Sequence, residues 1–345
     1  LVLEEYRSET QTFQRLQSVS QLILISEKSV VDLIEKIRAA GASLDGPGAE
    51  DVFDSLSQQS RSHIPPRDHP RLGFVADSAE EAQKYLHEAE KLLSAQPVSE
   101  GWDHPRGITF RVKGITAEDK VVALFPGQGS QYLNMAGELA INFPPVMEAI
   151  EVMDDLFRKD GQNELSSIVY PTPGFTEEDL EKQQLALRET DYAQAGIGVV
   201  SYGIYKVLQQ AGFKPDMTAG HSFGELTALW AGGALSDDSF LRLVKARGKA
   251  MRPPEVEGFD AGTMAAVKGP LAEIEEIIKT VDDVIIANQN SPTQVVLAGP
   301  RVAVEKAEEV LGAAGFKVTP LPVSAAFHTS LVEHASKPFA QAVKE

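Results

Sequence analysis

Short apolar runs alternate along this chain with longer stretches in which apolar residues recur at helical spacing. The first run, 22–25, reads as a buried strand. Residues 27–40 follow with Val30, Val31, Ile34 and Ile37, a helical period. Gly41 to Gly48 breaks the pattern, and 51–59 reads as a weaker helix. A loop with two adjacent prolines covers 62–69. A strand is predicted at 71–76 and a helix over 78–93, with Ser78 as N-cap and Glu81 in the capping-box position. A break at 97–107 and a short strand at 108–112 complete a small α/β module.

Lys120 opens a second unit. Its first strand, 121–125, is almost wholly apolar, which predicts a parallel sheet covered on both faces. Helices are expected over 132–140, 144–158, 176–188 and 191–211, a strand over 216–220, and helices over 223–233 and 236–251. This alternation indicates an open α/β sheet. From 262 to 320 the texture changes. Strand 263–267, helix 270–279, strands 284–288 and 293–298 around a turn at Asn290-Ser291-Pro292, helix 301–314 and strand 317–320 follow in turn. That order is the ferredoxin-like split βαβ arrangement. It reads as an insertion, because the chemistry of the larger unit resumes at Ser324. The abrupt ends, LVLEEYRSE and KPFAQAVKE, read as those of a segment cut from a longer polypeptide.

Composition narrows the chemistry. With 32 Lys and Arg against 50 Asp and Glu, the net charge of −18 argues against a nucleic-acid partner, which would want a basic face. The absence of cysteine excludes disulfides, thiolate metal sites and cysteine nucleophiles, and fits a cytoplasmic location. No apolar run approaches the roughly 20 residues of a membrane span, and no secretory signal opens the sequence.

Gly220-His221-Ser222-Phe223-Gly224 fits G-x-S-x-G, with a strand before it and a helix after it. Small residues let the strand turn sharply, so the Ser222 hydroxyl stands exposed and the Phe223 amide can face a developing oxyanion. The common alternative is a glycine-rich turn with a surface serine. Ser222 needs a base. His63, His69, His87 and His104 lie in the first module and read as surface residues, and His221 points away in an elbow. His328, in a small-residue loop, is favoured over His334, which lies in the helix that follows. No acid stands out to orient the histidine. Gly127-Gln128-Gly129 follows the strand 121–125 and suits a ligand-lining loop. It lacks the spacing and lysine of a nucleotide-binding loop. Arg247 lies in KARGKAM, where it either clamps a carboxylate or belongs to a solvated basic face with Lys245, Lys249 and Arg252.

Taken together, FPGQGSQY (125–132), TDYAQAGIGVVSYGIYKVLQQAG (190–212), GHSFGELTALWAGGALS (220–236), KARGKAM (245–251), ANQNSPTQVVLAGP (287–300) and AAFHTS (325–330) resemble the malonyl-CoA:acyl carrier protein transacylase family. The resemblance is nearest to the acyltransferase domains of polyketide and polyunsaturated fatty acid synthases, and it covers nearly all of 120–345. LVLEEYR (1–7) is similar to the last strand of a ketosynthase domain. Residues 8 to 117 resemble the ketosynthase-to-acyltransferase linker.

The resemblance implies an α/β-hydrolase-like parallel-sheet core (118–261 and 321–345, C-terminally truncated), the ferredoxin-like subdomain (262–320) and a small α/β linker domain (1–117). It implies Ser222 as the acylated nucleophile, His328 as its base, and the Gln128 and Phe223 amides as an oxyanion hole. Arg247 would hold the malonyl carboxylate, with Gln194, Phe327 and Met251 lining the pocket. Malonyl would pass from coenzyme A to Ser222 and on to the phosphopantetheine thiol of an acyl carrier protein. No permanently bound cofactor is expected. The adjacent ketosynthase domain is an expected partner. Phe223 and AAFH resemble malonyl-using members, while Ala325 stands where such members often have histidine. The alternatives are a serine hydrolase or thioesterase, and a non-catalytic docking segment. Coenzyme A and carrier proteins are anionic, so on a chain this acidic the cluster 245–252 is the expected docking patch.

Overall fold

The computed structural model describes residues 20–95, 101–116, 118–254 and 256–345. The ketosynthase-like stretch 1–7 and the start of the expected linker lie outside them. The chain divides into two compact units, one between Arg15 and Lys120 and the other containing Val121–Glu345.

The first unit runs β1 (Gln21–Ser26), α1 (Val30–Ser43), α2 (Ala49–Ser62), β2 (Arg71–Ala76), α3 (Ala79–Ala95), β3 (Gly101–Asp103) and β4 (Thr109–Arg111), and its strands form an antiparallel sheet in the order β1-β2-β4-β3. Ile23, Ile25, Leu72, Phe74 and Phe110 pack against Leu33, Ile37, Phe53 and Leu86 of the helices. Leu22 and Val75, one residue out of phase, are exposed. The 22–25 run is thus an alternating strand, not a wholly buried one. Its sheet is covered by helices on one face only. Two further boundaries differ from expectation. α1 continues through Gly41, which is buried on its inner face beside His87 and Leu86. The break at 97–107 contains β3, which is too short to carry an alternation signal. Ser78 does cap α3 through the Glu81 amide, while the Glu81 carboxylate accepts from the Asp77 amide.

The second unit opens with β5 (Val122–Phe125), followed by α4 (Gly137–Asn142), α5 (Pro144–Lys159), α6 (Leu165–Val169), α7 (Glu177–Arg188) and α8 (Thr190–Gln210). Then come β6 (Met217–Gly220), α9 (Gly224–Ala231) and α10 (Asp237–Ala250). β5 and β6 pair in parallel. β5 pairs with no other strand among the described residues, and Leu124 is 74% exposed, so this sheet is not covered on both faces as expected. The core lies under α8, where Val199 and Tyr205 meet Val146 and Met153 of α5 and Phe240 and Val244 of α10. The helix expected at 132–140 starts only at Gly137, because Asn134 and Ala136 take left-handed φ values of 62° and 53°. The missed α6 is a short turn whose Ser166 amide is held by Asp154 Oδ1 at 2.8 Å.

Next come β7 (Thr263–Lys268), α11 (Leu271–Ile278), β8 (Ile285–Ser291), β9 (Gln294–Gly299), α12 (Arg301–Ala313) and β10 (Lys317–Pro320). Their strands form an antiparallel sheet in the order β10-β7-β9-β8. β8 runs on to Ser291, so its turn is Pro292–Thr293, one step later than expected. A 3₁₀ turn (Ser330–Ala335) and α13 (Ser336–Lys344) complete the unit. Among the described residues no helix is long and apolar enough to cross a membrane, and no cluster of metal-ligating side chains occurs.

Candidate active site

The turn from β6 into α9 forces a serine side chain outward. A Cβ on Gly220 would lie 2.0 Å from the Gly224 carbonyl carbon, and one on Gly224 would lie 2.2 Å from the Phe125 carbonyl oxygen. Strand and helix approach closer than any side chain permits. Between them Ser222 adopts φ +52°. This left-handed backbone costs a non-glycine residue on the order of 1–3 kcal/mol, and such strain persists only where the surroundings enforce it.

The other half of the site comes from the loop before the 3₁₀ turn. Its Ala326 amide donates to the Ala261 carbonyl at 2.7 Å, and the Thr329 hydroxyl donates to the Ala326 carbonyl at 2.7 Å. These bonds hold His328, itself at φ +64°, against the serine. The Ser222 hydroxyl and His328 Nε2 are 2.9 Å apart, within reach for the hydroxyl to donate to a neutral imidazole that carries its proton on Nδ1. His334 is turned elsewhere: its Nε2 lies 3.0 Å from the Arg252 carbonyl and its ring meets the Phe259 edge. Tertiary structure thus separates two histidines that spacing alone left close.

Ser222 and His328 open on a cavity of about 180 Å³. Gln128, Gln194, Arg247, Met251 and Phe327, all expected near the site, line it. Phe223 is buried beneath it, with its ring 5.8 Å from the Arg247 guanidinium carbon. Four polar participants were not anticipated. His221 lines the cavity instead of pointing away, and its Nε2 lies 3.4 Å from Asn288 Nδ2. Asn288 and Asn290 reach the cavity from β8; their only sequence signal was the repeated asparagine in ANQNSP. Thr190 is fully buried behind Gln128. A larger cavity of about 490 Å³ lies beside β5, but its lining of Leu124, Leu139, Val200 and Ile204 holds no acid, lysine, arginine or histidine.

The basic cluster separates in three dimensions. Lys245 is buried and bonds Asp160 Oδ2 at 2.7 Å and Gln162 Oε1 at 3.0 Å, with its ammonium over the Phe157 ring. Lys249 bonds the same Asp160 oxygen at 2.8 Å, and Arg252 stands 3.9 Å from Asp191. These two lysines hold the Asp160 carboxyl below its ordinary pKa. Of the four expected in one docking patch, Lys245 is buried, Lys249 and Arg252 remain exposed beside their acidic partners, and Arg247 lines the cavity. Its Nη1 donates to Gln194 Oε1 at 2.6 Å, and no carboxylate lies within ion-pair distance of it among the described residues. Burial draws its pKa down, and the field of Glu225 opposes this. A guanidinium stays charged regardless, so the cavity holds a positive charge that no carboxylate contacts among the described residues, with Glu225 acting on it only through its field.

Desolvation, and then the Arg247 charge, push the His328 pKa below the ordinary 6.5. Both disfavour imidazolium, so the neutral base persists to lower pH than a free histidine would allow. The acid limb of acylation against pH should have its midpoint below 6.5. Arg247→Ala should move that limb upward, because it removes a repelling charge; the measurement is a kcat/KM profile with an uncharged acyl thioester. A limb unmoved by Arg247→Ala would show that the charge does not reach the imidazole. Among the described residues no carboxylate hydrogen-bonds the His328 ring.

A family model for the acyl transferase domain matches residues 122–345. The chain is 32% identical over 360 residues to a polyunsaturated fatty acid synthase subunit of Thraustochytrium sp., covering all of this chain and 13% of that protein. It is 35% identical over 232 residues to the malonyl CoA-acyl carrier protein transacylase of Bacillus subtilis, covering 66% of this chain and 67% of that one. Among solved structures, MCAT from Streptococcus pneumoniae superimposes with a TM-score of 0.54 at 39% identity, over 66% of this chain and 70% of that chain.

Proposed function

The chain belongs to the acyl transferase domain family, and on that premise we propose that it moves malonyl from malonyl-CoA, through an ester on Ser222, to the phosphopantetheine thiol of an acyl carrier protein. The observation that carries this reading is the cavity in which a Ser222–His328 pair at 2.9 Å faces the Arg247 guanidinium, which no carboxylate pairs among the described residues. A hydrolase of neutral esters has no use for that charge. A malonyl thioester supplies the matching carboxylate.

In the first half-reaction His328 Nε2 takes the hydroxyl proton as Ser222 Oγ attacks the thioester carbonyl carbon. The oxygen becomes an oxyanion, which the Gln128 and Phe223 amides receive; Phe223 adjoins the serine at the start of α9, which favours negative charge there. The tetrahedral intermediate collapses, the C–S bond breaks, and His328 returns the proton to the coenzyme A sulfur. The second half-reaction reverses these steps with the carrier's thiol as nucleophile. Arg247 holds the carboxylate through both, while Met251 and Phe327 limit the space around the α-carbon. No resident cofactor is required, since coenzyme A and phosphopantetheine arrive and leave as parts of the substrates.

The antiparallel unit Thr263–Pro320, with order β10-β7-β9-β8, is read as the ferredoxin-like insertion, and the β5–β6 pair as part of a hydrolase-like parallel core. The unit between Arg15 and Lys120 is read as the linker that follows a ketosynthase. Similarity to the Thraustochytrium synthase over the full chain supports this. A cytoplasmic synthase is the setting this implies.

Intact-protein mass spectrometry after exposure to malonyl-CoA tests the proposal. A malonyl adduct is expected on the native protein and not on Ser222→Ala. No adduct on the native protein would overturn it, and rapid release of free malonate without a carrier would favour a hydrolase.

A further inference from the structure

The proposed carboxylate clamp and the proposed oxyanion loop are joined by one buried chain of hydrogen bonds. Arg247 Nη1 donates to Gln194 Oε1 at 2.6 Å. Gln194 Nε2 donates to Thr190 Oγ1 at 3.0 Å and, at 3.4 Å, to Gln128 Oε1. The Thr190 hydroxyl completes the chain by donating to Gln128 Oε1 at 3.0 Å. Thr190 and Gln194 are wholly buried, so the middle of the chain is shielded from water, while Gln128 and Arg247 at its two ends line the cavity.

The chain has one possible direction. A guanidinium has donors and no acceptor, so Gln194 must turn its oxygen to Arg247 and its amide nitrogen inward. Thr190 must then accept from that nitrogen and pass its own proton on, and Gln128 must present its oxygen. A hydroxyl is the smallest group that accepts and donates at one atom. The backbone is built for this register. A Cβ on Gly248, next to Arg247, would lie 2.7 Å from the Asp191 Cα, next to Thr190. Only glycine lets α10 approach the start of α8 closely enough for the side chains to connect.

We propose that Thr190 is a positioning residue that couples occupancy of the Arg247 clamp to the placement of the Gln128 amide, so that a substrate carboxylate is read in the rate of acylation as well as in binding. The proposal rests on the malonyl-transfer reading above. A carboxylate that orients the guanidinium steadies Gln194, and through Thr190 the loop that receives the oxyanion. Charge at one end of the pocket thereby sets geometry at the other.

A double-mutant cycle in single-turnover Ser222 acylation by malonyl-CoA tests it. Thr190→Val keeps the shape and removes the node, and should lower the acylation rate about ten-fold with little change in substrate KM. Thr190→Ser should recover most of that loss. Gln128→Met, which keeps the backbone amide and removes the acceptor, should reproduce the valine effect and serves if Thr190→Val fails to fold. In an Arg247→Ala background the direction of the chain is no longer imposed, so Thr190→Val should cost less than about two-fold. Effects that multiply independently, or a Thr190→Ser variant as slow as Thr190→Val, would overturn the coupling while leaving malonyl transfer intact. Absence of any Ser222 ester on the native protein would overturn the transfer reading, and the coupling with it.

Discussion

Replacing His328 by alanine will lower the rate of Ser222 acylation by about a thousand-fold while leaving the protein folded. A positioned general base contributes roughly 10²–10⁴ in rate, and here, among the described residues, the serine hydroxyl has one side-chain partner, 2.9 Å away. Folding is expected to survive because the loop is held by bonds from Ala326 and Thr329, not by the imidazole. His334→Ala is the control. His334 bonds the Arg252 carbonyl outside the cavity, and its loss should change the rate less than about two-fold by the same argument. Single-turnover acylation with a thermal melt on each variant decides this. Equal losses for the two variants, or more than a tenth of the native rate in His328→Ala, would show that His328 is not the base.

The second large effect belongs to Arg247. Arg247→Ala should reduce kcat/KM for malonyl-CoA by about a hundred- to a thousand-fold, because truncating one partner of a hydrogen-bonded charge pair in a desolvated pocket costs about 2–5 kcal/mol. Acetyl-CoA and other uncharged acyl donors should be accepted as well as before or better, since they never used the guanidinium and now meet a less charged cavity. The prediction is therefore a reversal of preference, measured as the ratio of the two kcat/KM values. Loss of both substrates alike would mean that Arg247 supports the fold through Gln194 and Phe223 instead of reading the substrate.

Much of this site was legible in the residues. The elbow G-x-S-x-G needs glycines at its two ends for close approach, and a strand before and a helix after it, all of which sequence pattern reports. The alternation of elements along 120–345 likewise announces an α/β unit. What pattern reports poorly is length and cover. The strand β3 is too short for any period, and the helix expected at 132–140 failed on two left-handed residues that carry no propensity signal. The apolar strand at 121–125 was read as covered on both faces, but cover is a property of neighbouring elements, not of the strand.

The basic segment 245–252 shows the same limit more sharply. In sequence, Lys245, Arg247, Lys249 and Arg252 are one cluster. In space, Asp160 takes both lysines and Asp191 approaches Arg252, leaving Arg247 facing the cavity. The partners of a charge lie tens of residues away along the chain, and helical spacing alone does not say which of them it meets. The same reason hid Thr190, His221 and the two asparagines.

By itself, then, the sequence determined the candidates: a serine in a strand-to-helix turn, a short choice of histidines, a basic helix around Arg247, and no cysteine chemistry. These follow from residue identity and local spacing. Tertiary structure decided which histidine meets the serine, which cation lines the cavity, and how Arg247, Gln194, Thr190 and Gln128 join into one directed chain. Apart from the Gln194–Thr190 link within one helix, those are contacts between segments separated by 53 to 106 positions, where packing and the pairing of buried charge choose among partners that the local pattern leaves equivalent.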